Sequence, residues 1–342
     1  MRDPELIALL ASVPLYADLN EDERSDIAIG LRRLSFRSGE VLIRQGARPD
    51  AVYFILRGQV KVTTRLPGGG EALIAELGPG SMLGELALIR SVRRTATVTA
   101  TDAVEVIYAD WRYLSAALRQ LRPGAFKVFR NLALLLAGRM RVLHDTIHEA
   151  VMRDDRPYPS LQLPAAPKGP PEGGAPDGFD VTAFLPLLPC FREFDTTGIR
   201  AVRARAGIIS AKRGHIVGNL NQVPQHAYII VRGAIASGFL NVGRMHLVNV
   251  RGPGCFCTVS PLIEDRPLNA AYIVCENAVL LEIPRGQILE LFLGVDQTGF
   301  AFLTAIIEHQ AAMIARATNH LKRLFGLSRL FHQLHISSKL TL

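Results

Sequence analysis

The sequence predicts an α+β, mainly β protein: two double-stranded β-helix domains (jelly-roll-like β-rolls) in tandem, each flanked by helices. Three observations carry this prediction. Residues 153–178 hold seven of the twenty prolines and divide the 342 residues into halves of similar size. The halves repeat one another at an offset near 175 residues. Within the first, runs of β-branched and aromatic residues alternate with glycine turns before an amphipathic helix closes the block. Each half is long enough to bury a core. With 49% hydrophobic and 20% charged residues, wholesale disorder is excluded, and 7% aromatic content makes that core mostly aliphatic.

In chain order, Leu6–Val13 is an apolar patch, but Asp3 and Glu5 stand where a secretion signal carries positive charge. No run of eighteen apolar residues occurs, so the expected setting is soluble and cytoplasmic. Arg32-Arg33-Leu34-Ser35 fits a basophilic kinase site, yet it also fits the start of a first strand with Phe36 turned inward. Ala51–Leu56 reads as a strand buried on both faces. Val60 and Val62 alternate with Gln59, Lys61 and Thr63, as in a half-buried strand. Pro67–Gly70 makes a turn, Glu71–Leu77 runs back, and Val98 and Val104–Tyr108 supply later strands. Phe129, Leu132, Leu136, Met140, Leu143 and Ile147 recur at helical spacing. The proline-rich stretch that follows is expected to form neither helix nor ladder and to act as a semi-rigid spacer. The expected domains are therefore 1–152, a linker over 153–178, and 179–342.

The repeat is exact in its punctuation. Pro14-Leu15-Tyr16 aligns with Pro189-Cys190-Phe191, Gly39 with Gly214, and Tyr53–Gly58 with Tyr228–Gly233, each 175 residues on. Gly78-Pro79-Gly80 aligns with Gly252-Pro253-Gly254 at 174, so one residue is lost where a surface hairpin is expected.

The net charge of +8 is concentrated in the second half, where it is +6, and the last 27 residues hold Arg316, Lys322, Arg323, Arg329 and Lys339 with no acid. That tail mixes cations with Leu324, Phe325, Leu330, Phe331 and Leu334. Such a segment suits an acidic protein or lipid surface, or a terminal helix packed back on its own domain. Cys190, Cys255, Cys257 and Cys275 fit buried free thiols better than disulfides or a zinc site. No metal site or cofactor is expected. No P-loop, nucleophile elbow or zinc-ligand helix is present, so the chain does not read as an enzyme.

One segment carries recognition chemistry. Gly78–Ile89 is followed by Arg93-Arg94-Thr95-Ala96-Thr97-Val98. Gly84 permits backbone that other residues avoid and lets a ligand approach closely. Residues 85–89 can form one helical turn whose free N–H groups favour an anion. Arg94 offers a planar fork for two phosphate oxygens. Glu85, beside an anion site, makes sense facing a neutral hydroxyl, and Thr95 adds a donor. The alternative is that Arg94 pairs with an acidic neighbour and Glu85 lies idle on the surface.

The string Gly84-Glu85-Leu86-Ala87-Leu88 with Arg94-Thr95-Ala96 at its spacing resembles the phosphate-binding cassette of the cyclic-nucleotide-binding domain family. That family includes the catabolite activator protein, the regulatory subunit of cAMP-dependent protein kinase, cGMP-dependent kinase and cyclic-nucleotide-gated channels. The resemblance covers roughly residues 14–147. It implies ribose contact by Glu85, phosphate contact by Arg94, and main-chain phosphate contacts around Leu86 and Ala87. It also implies that cAMP or cGMP is the ligand, Thr95 bearing on the choice between the bases. Arg94 is expected to be exposed, so that its loss would abolish binding without unfolding the domain.

The second copy departs from this pattern. Gly84 becomes Thr258, Glu85 becomes Val259, Ala87 becomes Pro261 and Arg94 becomes Leu268; Arg266 is nearby, but Pro267 fixes the chain between. No cyclic nucleotide is expected there. The expected function is a receptor or regulatory protein that binds nucleotide in its first domain and signals to a partner protein, with a homodimer also plausible on the helix stripe. A nucleotide-independent scaffold or docking protein on a vestigial fold is the alternative. A transcriptional regulator fits less well, because no helix-turn-helix follows either copy and DNA binding is not expected.

Overall fold

A computed structural model of the chain describes residues 4–48, 50–65, 70–84, 93–153, 160–162, 167, 169–241 and 244–326. Its contacts define a first unit running to Leu132 and a second from Ala133 to Leu321.

In the first unit, two short helices, α1 (Pro4–Leu10) and α2 (Glu21–Ile27), precede the strands. Asn20 starts α2 with a capping box, its side chain accepting from the Glu23 N–H while the Glu23 carboxylate accepts from the Asn20 N–H. Eight strands follow: β1 (Leu31–Phe36), β2 (Val41–Ile43), β3 (Ala51–Arg57), β4 (Val60–Arg65), β5 (Glu71–Leu77), β6 (Met82–Leu83), β7 (Thr97–Ala100) and β8 (Val104–Asp110). They form two antiparallel four-stranded sheets, ordered β1-β8-β3-β6 and β2-β7-β4-β5. Leu42, Tyr53, Ile55, Val60, Leu83, Val98 and Val106 fill the space inside the roll. Helix α3 (Trp111–Arg119) is capped by Asp110, and α4 (Pro123–Arg153) follows.

The second unit repeats this plan with fused strands. After α5 (Val181–Phe184) and α6 (Thr196–Ala204) come β11 (Gly207–Ala211), β12 (Ile216–Gly218), β13 (His226–Asn241), β14 (Arg244–Arg251), β15 (Phe256–Cys257), the six-residue α7 (Val259–Glu264) and β16 (Ala271–Pro284). Strand β13 spans the places of β3 and β4, and β16 those of β7 and β8. Helices α8 (Arg285–Leu293) and α9 (Gln297–Gly326) complete the unit.

The repeat extends to single hydrogen bonds. Gly80 N–H donates to Ile55 O, as Gly254 N–H donates to Ile230 O, both at 2.8 Å. Ile55 N–H donates to Ser81 O at 2.9 Å, and Ile230 N–H to Cys255 O at 3.1 Å. The Arg57-Gly58 and Arg232-Gly233 turns share a left-handed glycine, at φ +81° and +84°.

Three expectations are corrected. Proline-rich residues 153–178 do enter ladders: β9 (Ser160–Gln162) pairs with β14 and β10 (Glu172–Gly173) pairs with β11. Both lie at sheet edges, where a short segment between prolines finds unpaired main-chain groups. The helix stripe is buried throughout, but from Leu136 onward it packs within the second unit, so α4 divides at Leu132 rather than belonging whole to the first copy. Of the four free cysteines, Cys190 and Cys257 are buried, and Cys255 and Cys275 only half so. Helix α9 is apolar and long enough over Gln297–Asn319 to cross a membrane, at a mean hydropathy of 1.2, yet 72% of that window is buried inside the protein, as befits a core helix.

Candidate functional site

Gly84 and Arg94, ten residues apart, meet in the first unit. Gly84 follows β6 at φ +79°, and a Cβ there would run into the Arg94 guanidinium. That is a position only glycine fills without strain. Arg94 is held by its own main chain, its N–H donating to Ala47 O at 3.1 Å and its O accepting from Gly46 N–H at 2.8 Å.

The Arg94 side chain is buried, contrary to expectation, at 7% exposure for the residue. Nη2 donates to Ala51 O at 2.7 Å and to Asp50 Oδ1 at 3.1 Å, and Nη1 donates to Gly84 O at 3.1 Å. The acidic neighbour weighed as an alternative is thus real, but it is one of three partners. The two carbonyls fix the plane of the guanidinium, while Asp50 is itself 60% exposed and competes with water for its place. A fork anchored on one edge by neutral carbonyls presents its remaining charge to an incoming anion.

Tyr53 and Tyr108 pack edge to face beside this cluster with centroids 5.5 Å apart. Both phenols are pushed above their ordinary value, first by burial and then by the Asp50 carboxylate. The Thr95 carbonyl accepts from Thr64 at 3.3 Å, which ties the segment after Arg94 to β4. Residues 85–92 lie outside the described residues, so the places of Glu85, Leu86 and Ala87 are not part of this geometry. The basic tail beyond Gly326 lies outside them as well.

Residues 33–121 match the cyclic nucleotide-binding domain family. The first unit carries a cyclic nucleotide-binding domain. Among curated relatives, a cyclic nucleotide-gated potassium channel of Mesorhizobium japonicum is 34% identical over 133 residues, 38% of this chain and 34% of the channel. A CRP-like cAMP-activated global transcriptional regulator of Mycobacterium tuberculosis is 27% identical over 169 residues, 49% of this chain and 74% of the regulator. Among solved structures, the regulatory domain of Toxoplasma gondii PKA with cAMP is 16% identical, with coverage of 86% of this chain and 95% of that one and a TM-score of 0.31. The match takes in about a third of the channel's length.

The second unit keeps the left-handed residue that opens this segment without the segment's chemistry. Thr258, standing for Gly84, holds the same left-handed conformation at φ +62°, its hydroxyl 2.7 Å from the His226 carbonyl. Val259 and Leu268 are buried, Leu268 in the core with Tyr228, Ile235 and Tyr272. Where the first unit places a guanidinium, the second places a leucine. Arg266 is exposed.

Sequence reasoning missed a cluster in this unit. Arg141 and His144 on α4, Arg251 on β14, Tyr272 on β16, and His309 and Gln310 on α9 line one small cavity. Arg251, His144 and Gln310 are buried polar residues that come from three separate segments, His144 lying more than a hundred residues from either of the others. No spacing rule gathers such residues in advance.

Proposed function

We propose that the chain is a cyclic-nucleotide receptor that binds one cAMP or cGMP in its first unit and passes the event to a partner protein. The observation that supports this most is the Gly84–Arg94 pair: a buried guanidinium oriented by two carbonyls, against a left-handed glycine that leaves the approach open. Arg94 takes the cyclic phosphate, and Glu85, Leu86, Ala87 and Thr95 take the ribose, phosphate and base contacts that the family implies. An anion at Arg94 competes with Asp50 and draws the Gly84 segment inward, and α4 carries the change onward because it is continuous from Pro123 to Arg153. The role is recognition, without a catalytic step, and its setting is the cytoplasm.

Calorimetry of the full chain with cAMP and cGMP tests this reading. Saturable heat with at least one of them, its affinity weakened roughly ten- to hundredfold in Arg94→Lys, is the expected result. No heat and no thermal shift with either would favour a nucleotide-independent scaffold on the same fold.

A further inference from the structure

The second unit holds a charge that the fold does not balance. Arg251 ends β14 with 3% of its surface exposed. Its Nη1 donates to Ser237 Oγ at 2.6 Å, and its guanidinium carbon lies 5.0 Å from the centre of the Tyr272 ring. Its Nε is buried without a partner. Among the described residues no carboxylate pairs with Arg251. The Glu264 carboxylate, on the same cavity, is engaged by Arg141 at 3.1 Å, and Asp145 is engaged by Asn269 at 2.9 Å. A guanidinium cannot shed its proton, so an unpaired buried one is costly unless a counter-charge arrives.

The rest of the wall sets what that counter-charge must carry. The Asn269 amide donates to Arg141 O and Asp145, so its Oδ1, 3.4 Å from His144 Nδ1, is the accepting end. His144 therefore holds its proton on Nδ1, and the buried Nε2, which has no partner, is a lone pair. Burial, and then the charge of Arg251, push the His144 pKa down to about 4, so the ring is neutral at pH 7. On α9, Gln310 Nε2 donates to Ser260 at 3.1 Å, which leaves its Oε1 as a second unpartnered acceptor. The wall thus offers one unbalanced cation, Arg251, a second unpartnered guanidinium N–H on Arg141, whose charge Glu264 balances, and two acceptors. The cavity measures about 30 Å³, the room of roughly two or three water molecules and far too little for a nucleotide.

We propose that this cavity binds a small, singly charged oxyanion that keeps a hydroxyl hydrogen, the chemistry shared by hydrogen carbonate and dihydrogen phosphate. Arg251 takes the charge, and His144 Nε2 and Gln310 Oε1 accept from the anion's hydroxyls, both of them with dihydrogen phosphate and one of them with hydrogen carbonate. A spherical halide or a fully deprotonated oxyanion satisfies the guanidinium but faces two lone pairs.

The experiment uses the full chain. Its thermal unfolding midpoint is followed as hydrogen carbonate, phosphate, nitrate or chloride is added at fixed pH and ionic strength. A saturable rise is expected with hydrogen carbonate or phosphate, the stronger of the two naming the ligand. The apparent affinity should exceed that for nitrate, which has the shape of hydrogen carbonate without its hydrogen, by about tenfold or more. Arg251→Gln should lose the rise, His144→Leu should lose the preference over nitrate, and Arg94→Lys should keep both, which separates this site from the nucleotide cassette. The wild-type comparison stands even if Arg251→Gln fails to fold. Equal stabilisation by nitrate or chloride, no saturable effect of any anion, or loss of the effect in Arg94→Lys would each overturn the proposal.

Discussion

At the scale of single residues, Arg94 has two jobs in the proposed receptor, and substitutions separate them. Arg94→Lys keeps the charge but loses the fork, and is expected to weaken nucleotide binding by roughly ten- to hundredfold, one charge-assisted hydrogen bond's worth. Arg94→Ala is expected to abolish binding and also to destabilise the first unit by about 1–3 kcal/mol, because the Ala51 and Gly84 carbonyls lose a buried donor. Paired titration calorimetry and denaturant unfolding distinguish the two effects. The guanidinium was legible in the sequence from its distance to Gly84. Its burial was not, since the carbonyls that hold it belong to the main chain and leave no mark in residue type. His144 shows the same limit and gives a pH prediction. Its folded pKa of about 4 lies below the ordinary 6.5, so in that window the unfolded chain binds the extra proton. The stability that this neutral ring contributes is intact above pH 6.5 and falls as pH drops towards 4, by about 3 kcal/mol at most. Unfolding of the second unit followed by urea across that range should show the loss, to which buried His309, pushed down to about 3, adds in the same direction, and His144→Leu should make it shallower. An equally steep profile in the variant would assign the proton elsewhere.

At the scale of elements, the turns specify the roll and the strands follow. Gly58 and Gly233 occupy equivalent left-handed turns, and a Cβ at either would meet main chain, Ala103 O in one copy and Asn277 O in the other. Gly58→Ala and Gly233→Ala are each expected to destabilise their own unit by about 1–2 kcal/mol from backbone conformation alone, and by more where the carbonyl cannot yield. Two-domain unfolding traces should show one transition moved and the other in place; a shift of both would mean that the units unfold together. These turns made the repeat readable, because glycine at a forced φ is the residue least free to change. The cassette of the second copy shows the exception. Thr258 keeps the left-handed conformation of Gly84 with a side chain whose hydroxyl reaches a neighbouring carbonyl, so a changed letter conceals an unchanged backbone. The ladders of β9 and β10 were illegible for a different reason: three residues and two residues carry no periodicity, and only the exposed edges of β14 and β11 call them into a sheet.

At the scale of the whole molecule, the two units share one fold and part in chemistry, and the number of nucleotides bound is the measurable consequence. A cyclic phosphate carries a permanent negative charge, and burying it without a cation or aligned N–H groups leaves its desolvation uncompensated. The second unit has Leu268 in the place of the cassette arginine, and Pro261 removes a main-chain donor from α7. Its buried cation, Arg251, faces a cavity of about 30 Å³ that Thr258, Val259 and Pro261 of that same segment line, closed on one side by Arg141 and His144 of α4. A nucleotide would have to displace that helix to reach it, at the cost of the Arg141–Glu264 pair and the His144–Asn269 contact. The full chain is therefore expected to bind one nucleotide, and Arg94→Ala in the full chain to bind none, as read by equilibrium dialysis at saturating cAMP and cGMP. Two equivalents per chain, or one that survives in a folded Arg94→Ala variant, would mean that the second unit has rebuilt a nucleotide site from Arg266 or Arg251. The division of labour between the copies would then be wrong.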